Sequence, residues 1–267
     1  MMRPISAGHW AARGRSSVIA LLAILLSVAA TAEEIAVKLT QRPMHASMVT
    51  RNGAGKVIAH VEVSQVVQGD EVTIRRTYHF VDGSFDEDTT TFTQHGSFRL
   101  VRDHEIQKGP FFADAVDFAV DATTGTATTR MVDKSGEKHD ETKHFDLPDD
   151  LANGMIGTLL LNAPQTMSSF RVGLLAPVNG GRLIQLLISR EGEKSFQLQG
   201  RLLQATVYRI HPELGGLLGV LAQPFGLQPK DVMVWILDGK APVVVRIVGQ
   251  LGGSGPVIDS ELQGASF

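Results

Sequence analysis

The stretch Val57 to Ser84, "VIAHVEVSQVVQGDEVTIRRTYHFVDGS", decides the fold. Val57, Ala59, Val61 and Val63 share one face of an extended segment while His60, Glu62 and Ser64 share the other, the period of two of a half-buried strand. Gln68-Gly69-Asp70 turns the chain. Val72, Ile74, Arg76, Tyr78 and Phe80 then alternate with Thr73, Arg75, Thr77 and His79 as far as the turn Asp82-Gly83-Ser84. The same pattern continues through segments near 85–94, 97–106, 115–121, 126–132, 138–145, 168–175, 182–190, 194–199, 202–210, 231–238, 243–249 and 257–262, with Gly, Asp, Asn or Pro at nearly every junction. The expected fold class is mainly β: an antiparallel meander forming a barrel or open half-barrel.

One segment departs from that period. In "DLPDDLANGMIGTLLLNAP" (146–164) Leu147, Leu151, Ile156 and Leu159 fall near helical spacing, Pro148 suits a first turn, and Asn162 with Pro164 stops it. This predicts one helix near 148–161, packed against or plugging the concave side. Gly154 and Gly157, three apart, either let its backbone approach the sheet closely or merely weaken it. A second apolar segment, 211–229, is too short and too broken by Gly and Pro to span a bilayer. It reads as a loop capping one end of a barrel, or as a surface for a membrane or protein partner.

Residues 1–17 carry Arg3, Arg13 and Arg15 and no acid, residues 18–29 are apolar, and Ala30-Thr31-Ala32 is a small-x-small cleavage pattern. Residues 1–32 are therefore expected to be a signal peptide and 33–267 a single β-rich domain, exported to the periplasm or secreted after cleavage near Ala32. The apolar run falls well short of the about 20 residues of a membrane anchor, so no transmembrane span is expected once the signal is removed.

The chain has no cysteine, hence neither a disulfide nor a cysteine-linked lipid. Its stability must come from its core, for which 43 % hydrophobic residues suffice. Without Arg3, Arg13 and Arg15, 22 basic residues face 28 acidic ones. That balance, with only Trp235, Tyr78 and Tyr208 as larger polar aromatics after the leader, argues against nucleic acid as a partner.

The densest polar stretch is "DGSFDEDTTTFTQHGSFRLVRDHEIQKGP", Asp82 to Pro110. Metal ligation is not expected: His139 and His144 lie five apart in a strand and point to opposite faces, and no H-E-x-x-H occurs. No G-x-S-x-G elbow and no glycine-rich phosphate loop is present, so no nucleophile and no cofactor is predicted. Ser97, His95 and Asp103 can be drawn as a triad, but so can many such sets in a chain this rich in serine and histidine. Asp86, Glu87 and Asp88 are consecutive and read as a solvated hairpin. Thr89, Thr91 and Thr93 share a face with Glu87, and Phe98, Leu100, Arg102 and His104 are expected to share one on the next strand. If the stretch holds a site, catalytic or ligand-binding, its residues are Glu87, Gln94, His104, Gln107 and Lys108, gathered near the Gly109-Pro110 turn.

Three segments, from "AHVEVSQVVQGDEVTIRRTYHFVDGSFDEDTTTFTQHGSFRLVRDHEIQKGPFF" through "LPDDLANGMIGTLLLNAP" to "DVMVWILDGKAPVVVRIVGQLGGSGPVIDSEL", resemble in that order a family of uncharacterised secreted or periplasmic bacterial β-rich proteins, a domain of unknown function. The resemblance implies a curled sheet similar to lipoprotein-carrier and lipocalin-like folds, and no catalytic residue comes with it. Two functions are then expected: an exported protein binding or carrying an apolar, lipid-like small molecule in the curl, or a non-enzymatic envelope scaffold meeting a membrane or an envelope protein through 211–229. Enzymatic activity ranks third.

Overall fold

A computed structural model describes residues 34–198, 200–213, 229–239, 241–251 and 255–267. The expected leader at 1–32 and most of the apolar segment 211–229 lie outside the described residues. Among those residues, fourteen strands form one antiparallel sheet. They are β1 (Met44–Asn52), β2 (Val57–Gln68), β3 (Glu71–Phe80), β4 (Phe85–His95), β5 (Ser97–Lys108), β6 (Ala115–Asp121), β7 (Thr126–Val132) and β8 (Lys138–His144), then β9 (Ser169–Ala176), β10 (Arg182–Leu198), β11 (Arg201–Glu213), β12 (Val232–Leu237), β13 (Val243–Gln250) and β14 (Val257–Ser266). Between β8 and β9 lies the helix α1 (Ile156–Asn162).

The order across the sheet is β8-β7-β6-β5-β4-β3-β2-β1-β14-β13-β12-β11-β10-β9. Every neighbouring pair except β1–β14 joins consecutive strands, so two hairpin arrays meet in the middle through the first and last strands. The sheet is an open, curled one with β8 and β9 as its edges. One core cluster draws Phe118, Val120 and Ala127 from β6 and β7 together with Phe170, Val172 and Ile188 from β9 and β10. Strands so far apart in the order can share a core only if the concave faces of the two arrays turn toward each other.

The linker from β8 to β9 fills the gap between the edges. Ala152 N–H donates to Gly173 O (2.8 Å) and Gly173 N–H to Asp150 O (3.1 Å), giving β9 a short parallel partner on its bare side. Asn153 clasps Leu175 from both directions, its Nδ2 donating to Leu175 O (2.8 Å) and its Oδ1 accepting from Leu175 N–H (3.0 Å). On the other edge, Lys143 Nζ donates to Asn179 O in the β9–β10 turn (2.7 Å). The backbone pairing at Gly173 occupies part of the β9 edge that a second chain would otherwise meet.

The helix expected near 148–161 is present, and it is shorter. Residues 148–155 are spent on the linker, because Leu151 bridges to Gly173 and Gly154 sits at φ +36°, off the helical path. At the other end, Asn162 does not stop the helix but belongs to it. Its Oδ1 accepts from Lys38 N–H (2.9 Å) and Leu39 N–H (2.7 Å), and its Nδ2 donates to Thr158 O (3.0 Å). Asn162→Ala strands two backbone donors and is expected to cost about 2–3 kcal/mol, read from the urea midpoint; a loss below about 0.5 kcal/mol would mean that this side chain does not hold the 34–42 strap.

Two strand assignments differ from the sequence reading. Residues 182–190 and 194–199 belong largely to one strand, β10, whose register against β11 shifts between Arg190 and Gly192, with Gly192 at φ +96°. A bulge inserts a residue without ending a strand. Strand β1, "MHASMVTRN", went unread, yet it pairs along its length with both β2 and β14. Among the described residues no helix is long and apolar enough to cross a membrane.

Candidate functional site

Strands β3, β4 and β5 place their inward residues by alternation and register. Arg76 is opposite Asp88, and Tyr78 opposite Asp86; on the other side Asp86 faces Gln107, Asp88 faces Glu105 and Thr90 faces Asp103. The carboxyl groups of Asp86, Asp88, Asp103 and Glu105 therefore gather on the concave side with Arg76 as the cation among them. Asp86 is 2 % exposed and Asp103 5 %. The expectation that Asp86, Glu87 and Asp88 form a solvated hairpin is corrected here: only Glu87 points to the outer face. Asp86 and Asp88 point inward and meet acids from the next strand.

A β-bulge makes this possible. Thr91 pairs with Arg102 but Phe92 pairs with Leu100, leaving Val101 as the extra residue. Side chains change face at that point. Phe98 and Leu100 are thus buried in the core while Arg102 and His104, expected on the same face, are exposed on the other. Asp103 and Glu105 take the inward places.

The hydrogen bonds divide the cluster into satisfied and unsatisfied groups. Arg76 donates to Asp88 at 2.5 Å, and Thr90 Oγ1 donates to Asp103 Oδ1 at 2.6 Å. Thr90 Oγ1 also lies 3.2 Å from Asp88 Oδ1, so one hydroxyl sits between the two carboxyls. Asp86 Oδ2 and Gln107 Oε1, by contrast, are buried without a hydrogen-bond partner among the described residues. Such groups cost free energy unless something fills their needs.

Burial dominates the ionisation of these acids. It pushes Asp86 up to about 7, with the nearby Glu105 charge adding to the effect and Arg76 opposing it. Glu105 is pushed up to about 7 by burial first and Asp88 second. Asp103 is held well above the usual carboxylate range by burial and then by Asp88. For Arg76 burial works against the charge, but Asp88, Tyr78, Asp86 and Asp103 outweigh it and hold the guanidinium above its ordinary value.

The cluster forms one part of the wall of a cavity of about 1460 Å³. Leu160 and Leu161 from α1, Leu186 and Ile210 from β10 and β11, and Val234 and Ile247 from β12 and β13 line other parts. A cavity with a greasy wall and a few convergent polar groups is the usual form of a small-molecule site. Lys38, Arg42, Asp114, Lys134, Arg182 and Lys230 also border it.

Of the residues expected at a site, only Gln107 borders this cavity. Glu87 lies on the opposite face and accepts from Thr77 Oγ1 (3.2 Å). Gln94 is buried, its Oε1 accepting from Gln41 N–H (2.6 Å), and so holds the N-terminal strap. His104 is exposed beside Asp117 (Nε2 to Oδ1, 2.9 Å), and the exposed Lys108 sits 5.3 Å over the Phe85 ring. The sequence reading sets Asp86 and Asp88 aside as solvated, meets Asp103 only in a drawn triad, and passes over Arg76 and Glu105. Their signal was two i, i+2 acid pairs on consecutive strands, which becomes legible only when the strands are laid side by side.

Among the described residues, the acidic and histidine side chains close enough to hold one metal ion are Asp133, Glu137 and His139, at the β7–β8 turn. Asp133 Oδ1 there already accepts from Ser135 and from Glu137 N–H.

No family model matches the chain, and no curated protein matches it. Among solved structures the chain is similar to a beta-barrel-like protein of a domain of unknown function, DUF1849, from Brucella abortus, with 7 % sequence identity, a TM-score of 0.44, and coverage of 84 % of this chain and 96 % of that one.

Proposed function

We propose that the curled sheet binds one amphipathic small molecule, with its apolar body along the Leu, Ile and Val wall and its polar end against the acid cluster. The apolar leader and cleavage pattern at 1–32 support a further part of the proposal: that the protein acts as an exported carrier or sequestering protein. The observation that carries the reading is the cavity itself. A fold with no ligand to accommodate fills such a space with side chains, since each unfilled methyl-sized void costs about 1 kcal/mol.

The magnitudes are compatible with reversible binding. A ten-carbon chain transferred from water gains roughly 8 kcal/mol at about 0.8 kcal/mol per methylene. Association costs at least about 4 kcal/mol in lost freedom. The remainder corresponds to roughly millimolar affinity from the chain alone, so tighter binding must come from the polar end.

Native mass spectrometry of protein purified from its own host, followed by organic extraction, should find a discrete amphipathic species. Gly157 offers a direct variant. It borders the cavity, and a Cβ there meets nothing nearer than Val244 Cγ2 at 3.7 Å. Gly157→Leu should weaken binding of the apolar dye N-phenyl-1-naphthylamine about tenfold while the fold persists; unchanged dye affinity would show that the cavity is not where apolar molecules bind.

A further inference from the structure

Resting on the cavity reading above, we infer that the polar end of the ligand is a cationic hydrogen-bond donor of the alkylammonium type, seated between Asp86, Glu105 and Gln107.

The cluster sets four acids against one guanidinium. Asp88 is engaged by Arg76, and Asp103 by Thr90. No cation from the surrounding strands is paired with Asp86 or Glu105 among the ion pairs of the described residues. Asp86, a lining residue 98 % buried, carries a carboxylate oxygen with no hydrogen-bond partner among the described residues, and its cross-strand neighbour Gln107, also a lining residue, carries a second such acceptor. Two unmet acceptors beside an uncompensated acid call for a group that donates several hydrogen bonds and carries positive charge. An ammonium does both, with three donors and no acceptor. A carboxylate or phosphate head would bring further acceptors to a place already short of donors. A hydroxyl would meet one acceptor and leave the charge.

The charged and titratable groups around Asp86 are Arg76 and Tyr78 from β3, Asp88 from its own strand and Glu105 from β5; elsewhere on the cavity lie Lys38, Arg42, Asp114, Lys134, Arg182 and Lys230. Seating a cation favours the ionised acids, so binding should release protons and tighten as pH rises through the range in which Asp86 and Glu105 titrate.

The test is isothermal titration calorimetry of the purified protein with decylamine, decan-1-ol and decanoate, which share one chain length. Decylamine should bind at least about tenfold more tightly than decan-1-ol at pH 8, release protons on binding at about pH 6–7, and lose that margin at pH 5.5. Asp86→Asn, and independently Glu105→Gln, should abolish the margin between decylamine and decan-1-ol. Equal binding of all three, or a preference for decanoate held by the lysines and arginines elsewhere on the cavity, overturns the ammonium assignment and leaves the cavity reading intact. Binding of none of the three overturns both.

Discussion

Gly154→Ala is expected to cost about 2–5 kcal/mol, enough to unfold a large part of the population of a marginally stable protein. Two effects add. At φ +36° an L side chain costs about 1–2 kcal/mol, and the new Cβ would lie 1.6 Å from Thr90 Oγ1 and 2.9 Å from Asp103 Oδ1. Overpacking of this kind typically costs about 1–3 kcal/mol. Thr90 cannot simply turn aside, because its hydroxyl is the donor to buried Asp103. The control is Gly157→Ala, three residues on and inside α1. Its Cβ finds only ordinary contact, so the change should be neutral or stabilising by about 0.5–1 kcal/mol. Urea unfolding of both variants decides the matter; equal small effects would mean that the linker does not press on the acid cluster. The two glycines thus divide between the roles the sequence left open: Gly154 permits a close approach and Gly157 weakens a short helix.

Stability should fall as pH rises from 5 to 8. In the unfolded chain Asp86 and Glu105 ionise near their ordinary values of 3.8 and 4.5, whereas in the fold both are pushed up to about 7. Between those limits the folded state holds protons that the unfolded state has shed, so each increase in pH favours unfolding until both states are ionised. Asp103, also raised, contributes with the same sign. The loss is roughly 3 kcal/mol per group at most, and the two do not add fully, because Glu105 accounts for part of the effect on Asp86. Asp121, Asp133 and Glu213 are lowered instead, by hydrogen bonds from Thr123, Ser135 and Arg171 first of all, and oppose this trend only on the acid side, as pH falls below their ordinary values. Asp86→Asn should therefore match the unaltered protein at pH 5 and exceed it by about 2 kcal/mol at pH 8. Urea midpoints at the two pH values provide the check, and stability that climbs with pH across this window would refute the assignment of buried, protonated acids.

The mainly β architecture was legible because alternation is local: β6 and β7 carry the bounds 115–121 and 126–132 that their residue pattern predicts. Strand β1 escaped because in "MHASMVTRN" the stripe Met44, Ala46, Met48 and Thr50 is weakly apolar and Val49 breaks the polar face of His45, Ser47 and Arg51. Its place between β2 and β14 comes from pairing, which no single segment reveals. The site was harder to see for the same reason. Four acids on two strands look like surface when each strand is read alone, and the displaced register at Val101 reverses the face of every residue beyond it. Gln107 borders the cavity because its inward place on β5 follows from the register with Asp86.

The meeting of β1 with β14 bears on how the chain reaches its native state. Each hairpin array is built from neighbours in sequence, so either can assemble rapidly and by itself. Joining them requires strands more than 200 residues apart to find one another, a search whose entropic cost grows only slowly with length but must be met before any contact rewards it. During synthesis β14 is the last described strand to emerge from the ribosome. Until β14 docks, β1 and β13 each present an unpaired edge, so the chain is most open to aggregation before that pairing closes.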